Sequence, residues 1–239
     1  MKAVIQAGGK GARLMPYTTV LPKPLMPVGS QPVLALLLKW LRRNGTRDVY
    51  ITTGHLGHLI RSVCGDGRQW DMRIQYTQEP EPLGTVGALS LMMNGGLDDS
   101  FFVINGDVLT DLNLNAFSAF HRSRGELLSV AVARRTIKID FGVLDAPEGY
   151  VVGFKEKPVV SHLVSMGVYC MRPEILEHIP QGVPFGFDDL MFCLLGKGLP
   201  VCTFLHNGAW LDIGRVEDFK AAQTQTWDDH IPAFEFAEA

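Results

Sequence analysis

Ala3-Val4-Ile5-Gln6-Ala7-Gly8-Gly9-Lys10-Gly11-Ala12-Arg13 sets a short apolar run directly against a glycine-rich basic loop, and Lys23-Pro24 follows ten residues beyond Arg13. The pattern reads as a first strand that ends in a turn. Glycines let a backbone adopt positive φ and approach a ligand closely. Successive loop N–H groups then face an anion. Residues 1–47 carry eight Lys or Arg and no acid, the first being Asp48. In a chain of net charge −3 that asymmetry suits a polyanionic ligand. Lys39, Arg42 and Arg43 are accounted for as complements of a helix C-terminus. Lys10, Arg13 and Lys23 are not, because they lie in or beside the Gly/Pro-rich loop.

Two familiar glycine loops are excluded. A P-loop needs Lys-Ser/Thr directly after its last glycine, whereas Ala12-Arg13 follows Gly11. A dinucleotide fingerprint needs a third glycine and an acid about 20 residues on. Here Leu14 occupies the glycine position and no acid precedes Asp48.

The sequence Ala7-Gly8-Gly9-Lys10-Gly11-Ala12-Arg13-Leu14, then Pro22-Lys23-Pro24-Leu25-Met26-Pro27-Val28, resembles the signature of the sugar-1-phosphate nucleotidylyltransferases. These enzymes join a nucleoside triphosphate to a sugar 1-phosphate and release pyrophosphate. The resemblance runs over about residues 1–225. It looks closest to guanylyltransferases acting on mannose or heptose 1-phosphate. Uridylyl, thymidylyl or cytidylyl transfer to another sugar is the near alternative. Ala12 replaces the usual Thr before the Arg, and Gln6 the usual Leu before Ala-Gly-Gly.

Length and composition agree with a globular chain. The 239 residues suit a single nucleotidyltransferase domain over 1–239 with a sizeable core, 46% hydrophobic and 20% charged. The first strand begins within a few residues, which leaves no room for a signal peptide, and no apolar run approaches membrane length. A cytoplasmic protein with no membrane or nucleic-acid partner is expected. A homodimer is left open. Cys64, Cys170, Cys193 and Cys202 form no Cys-x-x-Cys pair, so free thiols are expected rather than structural zinc. His55-x-x-His58 lacks an acidic companion and reads as a surface feature.

Along the chain, Ser30-Gln31-Pro32 reads as the start of a helix with Ser30 as N-cap. Leu34, Leu37, Leu38 and Leu41 give its apolar face, and Asn44-Gly45 ends it. Strands are expected at 49–53, 73–77 and 101–104, with helices at 56–63 and 86–93 between them. Alternation of this kind argues for an α/β fold with a Rossmann-like, mostly parallel central sheet flanked by helices. After about residue 125 the texture turns β-rich. Strands are read at 129–134, 141–144, 150–155, 163–171 and 201–205, and helices at 173–178, 188–195 and 216–226. Residues 1–125 form the expected nucleotide-binding half. Residues 126–227 form the sugar-phosphate half, and 228–239 a tail.

Asp107 emerges after an apolar strand and Gly106, and Asp212 sits in Trp210-Leu211-Asp212-Ile213-Gly214. Either alone reads equally as a cap. The resemblance implies that both hold Mg²⁺, with Asp107 and Asp212 also near the sugar phosphate. Asp111 reads as the cap of a helix near Leu114. Arg13 and Lys23 are the expected catalytic cations: an Arg grips phosphate oxygens bidentately and a Lys acts as a point charge. The resemblance places Arg13 on the β and γ phosphates and Lys23 on the α phosphate. It also implies nucleotide contacts from Gln6, Ala7, Gly8, Gly9, Gly11, Pro82, Gly84, Thr85, Gly87 and Gly106. Glu156 and Lys157 would clamp the sugar phosphate, with Gly142 giving close backbone approach. Ser165 stands where the family usually has an Asn that helps hold the sugar. No general base is required, since a phosphate monoester already carries nearly two negative charges, with a second pKa of about 6. A sensor that only binds nucleotide sugars would not need Arg13, Lys23, Asp107 and Asp212 together. A glycosyltransferase would need Asp-x-Asp where Asp107-Val108-Leu109 stands.

Overall fold

The computed structural model describes residues 1–92, 95–97 and 99–224. The opening run forms strand β1 (Lys2–Ala7). Two short strands, β2 (Pro27–Val28) and β3 (Gln31–Pro32), then make a tight hairpin before helix α1 (Val33–Arg43). Strand β4 (Asp48–Thr53), helix α2 (Gly57–Cys64) and strand β5 (Arg73–Gln78) follow. A helical turn α3 (Gly84–Gly87) continues as a 3₁₀ segment to Met92 and leads to β6 (Phe101–Asn105) and β7 (Val108–Thr110). Beyond helix α4 (Leu114–Arg124) come β8 (Leu128–Lys138), β9 (Val143–Asp145), β10 (Gly153–Lys155) and β11 (Val159–Met171). Helix α5 (Phe187–Gly196), β12 (Val201–His206), β13 (Trp210–Asp212) and α6 (Val216–Thr224) complete the described residues.

Seven strands form one sheet in the order β12-β8-β11-β6-β1-β4-β5. β11 runs antiparallel to both neighbours, and the remaining pairs are parallel. Side chains of β1 alternate between two cores. Ala3, Ile5 and Ala7 pack with α1 and α2 residues, whereas Val4 joins Val86, Leu89 and Leu190 on the opposite face. A sheet covered on both faces needs such near-continuous apolar strands.

Several sequence readings are corrected. Ser30 does not cap α1. Gln31 and Pro32 are held in the hairpin, Val33 N–H donates to Met26 O, and the helix begins behind Pro32 with no side-chain cap. Asp111 does not cap α4; Asn113 does, its side chain accepting from Ala116 N–H at 2.9 Å. Asp111 instead bonds His206 Nε2 at 2.8 Å. The helix read at 86–93 starts at Gly84 and tightens to 3₁₀ geometry from Ala88. Its last residue, the end of the helix read at 216–226, and the tail at 228–239 lie outside the described residues.

Candidate active site

The chain leaves β1 for β4 and β5 on one side, then returns to place β6 on the other side of β1. Connections diverge at that point, and a crevice opens beyond the carboxyl ends of the two strands. A cavity of about 390 Å³ lies there. The loop after β1 and the turn after β6 form its two lips. Gly106 N–H donates to Gln6 O at 2.9 Å, and a Cβ on Gly106 would lie 2.7 Å from that oxygen. Only glycine permits the lips to close this tightly. Gly11 has a φ of +63°, which turns the loop back so that Gly8, Gly9, Gly11 and Arg13 line the cavity. Thr18 Oγ1 donates to Gly11 O at 3.0 Å and holds the turn.

β7 and β13 pair antiparallel, with Asp212 opposite Val108, and Ile213 N–H donates to Asp107 O at 3.1 Å. This small ladder carries Asp212 to the cavity wall that holds Asp107. Lys23 Nζ bonds Asp107 Oδ2 and lies 4.0 Å from Asp212 Oδ1. Asp107 Oδ1 is buried without a protein partner. Burial raises the Asp212 pKa to about 6; the charge of Asp107 adds to the rise, and Lys23 opposes it. Two carboxylates converging on one ammonium, with one oxygen unused, suit a hard divalent cation. Among the described residues no cluster of three or more His, Cys, Asp or Glu side chains could form a protein-only cage. A cation held by Asp107 and Asp212 would complete its shell with phosphate oxygens and water.

Two further polar groups line the cavity. Gln6 Oε1 and Nε2 are both buried with no partner in the protein. Glu79, which follows β5, is 8% exposed. Its Oε2 accepts from Leu83 N–H at 3.1 Å, and its Oε1 lies against Gly8, where a Cβ would overlap it. Burial raises the Glu79 pKa, with the Leu83 N–H opposing. Glu79, Thr52, Asn105 and Gly214 line the cavity without having been singled out from sequence. The available signal for Glu79 was an acid at the carboxyl end of a parallel strand, three residues before Pro82.

Of the other residues expected at the site, Ala7, Pro82, Gly84 and Thr85 also line the cavity. Gly87 lies behind it, its N–H donating to Phe185 O at 2.9 Å, and a Cβ there would meet Val183 O at 3.1 Å. Gly142, Glu156 and Lys157 come together away from the cavity lining, in the region of the β9–β10 hairpin. A Cβ on Gly142 would sit 2.6 Å from the Phe154 ring and 3.4 Å from Glu156 Oε2. Lys157 has a φ of +42°, and its Nζ lies 3.9 Å from Glu156 Oε1. Ser165 donates to Tyr169 OH at 3.2 Å and accepts from Gly167 N–H, bracing a bulge between β11 and β8. Gly167 of that bulge packs against Asn105, so the bulge supports the cavity from behind.

A model of the family described as nucleotidyl transferase matches residues 2–229. The chain is 32% identical over 238 residues to the UTP–glucose-1-phosphate uridylyltransferase of Synechocystis sp., covering 92% of this chain and 61% of that protein. It is 32% identical over 227 residues to the mannose-1-phosphate guanyltransferase of Aspergillus oryzae, covering 92% and 62%. The chain thus spans about three fifths of the length of these curated relatives. Among solved structures, HddC from Yersinia pseudotuberculosis superposes with a TM-score of 0.73 at 25% identity, covering 93% of this chain and 97% of that one. The same protein complexed with GMP-PN gives a TM-score of 0.71 at 25% identity, covering 93% and 97%.

Proposed function

The chain belongs to the nucleotidyl transferase family, and from that premise we propose that it transfers a nucleotidyl group, by preference guanylyl, to a mannose- or heptose-type sugar 1-phosphate. The observation that carries this reading is the convergence of Lys23, Asp107 and Asp212 on one cavity with the Gly8–Arg13 loop. A triphosphate laid along the loop meets backbone N–H groups and the Arg13 guanidinium. A sugar-phosphate oxygen attacks the α-phosphorus, the new P–O bond forms, and the bond to the β-phosphate oxygen breaks to release pyrophosphate. Catalysis of this kind is mostly placement and charge stabilisation. Arg13 stabilises the leaving pyrophosphate. Lys23, paired with Asp107 when no substrate is bound, turns to the α-phosphate as charge accumulates there. Asp107 and Asp212 would hold Mg²⁺, which when bound supplies further neutralisation of phosphate charge.

Glu79 and Gln6 support the choice of guanine. Guanine presents one acceptor and two adjacent donors on its pairing edge. A buried carboxylate matches the two donors, and an unpartnered amide N–H matches the acceptor. Uracil and thymine place an acceptor where guanine has its second donor, so an ionised Glu79 would repel them. The relative from Aspergillus is named for guanylyl transfer and agrees with this preference. Uridylyl transfer is the second reading, favoured by the equally similar relative from Synechocystis.

Pyrophosphate release with Mg²⁺ tests both readings across GTP, UTP, dTTP, CTP and ATP, each against mannose, heptose, glucose and N-acetylhexosamine 1-phosphates. Release that requires GTP together with mannose or heptose 1-phosphate is expected. Release with UTP and glucose 1-phosphate alone would replace the first reading by the second. Silence across the grid with nucleotide-sugar binding retained would refute transfer.

A further inference from the structure

Asp212 reaches the cavity on a very short element. β7 and β13 contribute three residues each and pair outside the seven-stranded sheet. A two-stranded pair is marginal in water by itself. Side chains alternate along a strand, so a slip of one residue would carry Asp212 to the other face of the pair, away from Asp107. Three ladder positions do not fix that register alone.

The hold comes from the residues that lead into the ladder. β12 ends at His206, opposite Ala133 on the main sheet, and residues 207–209 connect it to β13. His206 Nε2 lies 2.8 Å from Asp111 Oδ1 and 3.3 Å from Ala209 O. Both partners are acceptors, so Nε2 carries the hydrogen and donates. Thr110 Oγ1 donates to the same Ala209 O at 2.9 Å, and Asp111 N–H does so at 3.3 Å. The Thr110 hydroxyl in turn accepts from Leu112 N–H at 3.1 Å. Gly208 lets the turn close: a Cβ there would collide with Asp111 Oδ1 and lie 2.7 Å from His206 Cε1. The His206 side chain is 12% exposed, so water competes little for its bond.

These bonds converge on the carbonyl just before the first ladder pair, Trp210 opposite Thr110. Asp111 belongs to the chain that carries Asp107, and His206 to the chain that carries Asp212. Neither lines the cavity. We infer that Asp111 and His206 are a positioning pair, which locks the register of the β7–β13 ladder and thereby holds Asp212 against Asp107. The inference rests on the metal role proposed above for Asp212.

Asp111→Ala removes the acceptor for His206, and Asp111→Asn retains one. Amide hydrogen exchange without ligands should be about tenfold faster or more at residues 107–111 and 209–213 in Asp111→Ala, and unchanged in β1 and β4. Affinity for Mg²⁺ alone, by calorimetry, should fall about tenfold or more, and kcat likewise. KM for the triphosphate should stay within about twofold. Asp111→Asn should restore all three to near the parent values. His206→Phe should reproduce Asp111→Ala, and combining the two should add little, as for partners in one bond. Circular dichroism and thermal melting check folding; should Asp111→Ala fail to fold, His206→Phe against His206→Gln carries the same comparison. Parent-like exchange of the ladder in Asp111→Ala would overturn the inference. Faster exchange spread evenly over the sheet, with Mg²⁺ affinity retained, would overturn it by showing a merely structural bond. Equal loss in Asp111→Ala and Asp111→Asn would overturn it by showing that the carboxylate charge acts directly. Normal turnover in Asp212→Asn strikes only the metal role of Asp212; ladder exchange needs no turnover and decides the lock in either case.

Discussion

Lys23 sits between Asp107 and Asp212 as a cation would, and that position decides how the site responds to pH. Burial and the neighbouring Asp107 charge lift Asp212 to about 6. Below that value Asp212 is protonated in the free protein and loses its capacity to bind a cation. Apparent Mg²⁺ affinity, measured by calorimetry, should fall about tenfold per unit below pH 6 and level off above it. Asp212→Asn should abolish that pH dependence. Asp107→Asn and Asp212→Asn should each remove turnover and leave the circular dichroism spectrum unchanged; near-normal rates with Mg²⁺ in both would refute the metal assignment. Gly8 gives a separate test. A methyl there collides with the Glu79 carboxylate, so Gly8→Ala should weaken nucleotide binding at least tenfold in a fluorescence titration.

Elements matter because the site is assembled from their ends. Helix α4 starts under a doubled restraint: Asn113 caps it, and Asn44, which ends α1, accepts from Leu114 N–H at 2.8 Å. Asn113→Ala removes one accepted bond and should cost about 1 kcal/mol, read as a lower midpoint in urea unfolding. An unchanged midpoint would show that Asn44 suffices. The hairpin after β9 behaves as a different kind of element. It holds Gly142, Glu156 and Lys157 together yet apart from the cavity lining, and we propose that it serves the sugar phosphate rather than the nucleotide. Lys157→Ala should therefore raise KM for the sugar phosphate and leave KM for the triphosphate unchanged. Equal effects on both constants would contradict that division.

For the whole molecule, His121 links the α4 layer to the sheet. Its Nδ1 lies 2.9 Å from Ser129 Oγ, and its Nε2 is buried without a partner. Burial, with Arg172 and Arg122 adding, holds its pKa below the ordinary value. The unfolded chain therefore takes up a proton near pH 6.5 that the folded chain refuses. Stability from this residue is complete above about pH 6.5 and falls as pH drops, by up to about 1.4 kcal/mol per unit. Urea midpoints at pH 5 and 7.5 should differ less in His121→Phe than in the parent chain. No helix among the described residues is long and apolar enough to cross a membrane.

Local sequence carried a good deal of this. The apolar run before Gly8, the leucine spacing of α1 and the alternation of strand with helix are written in near-neighbour residues, where steric and periodic rules act. So is the order of the glycine loop and Lys23-Pro24. The Ser30 and Asp111 readings failed at the same scale, because a β2–β3 hairpin and the distant His206 outcompeted the local cap. Tertiary structure alone decided the geometry of the rest, including that of the Asp107–Asp212 pair, which the family resemblance had already implied. Asp212 reaches Asp107 through a β7–β13 ladder between residues about a hundred apart. Glu79 becomes a cavity wall only because β5 lies beside β4 and Gly8 has no side chain to exclude it. The long β8–β11 ribbon stands bare because β12 and β6 stop short of it. Burial, pKa and exposure are set by what packs alongside a residue, and a linear sequence names that neighbour only when the neighbour is also close along the chain.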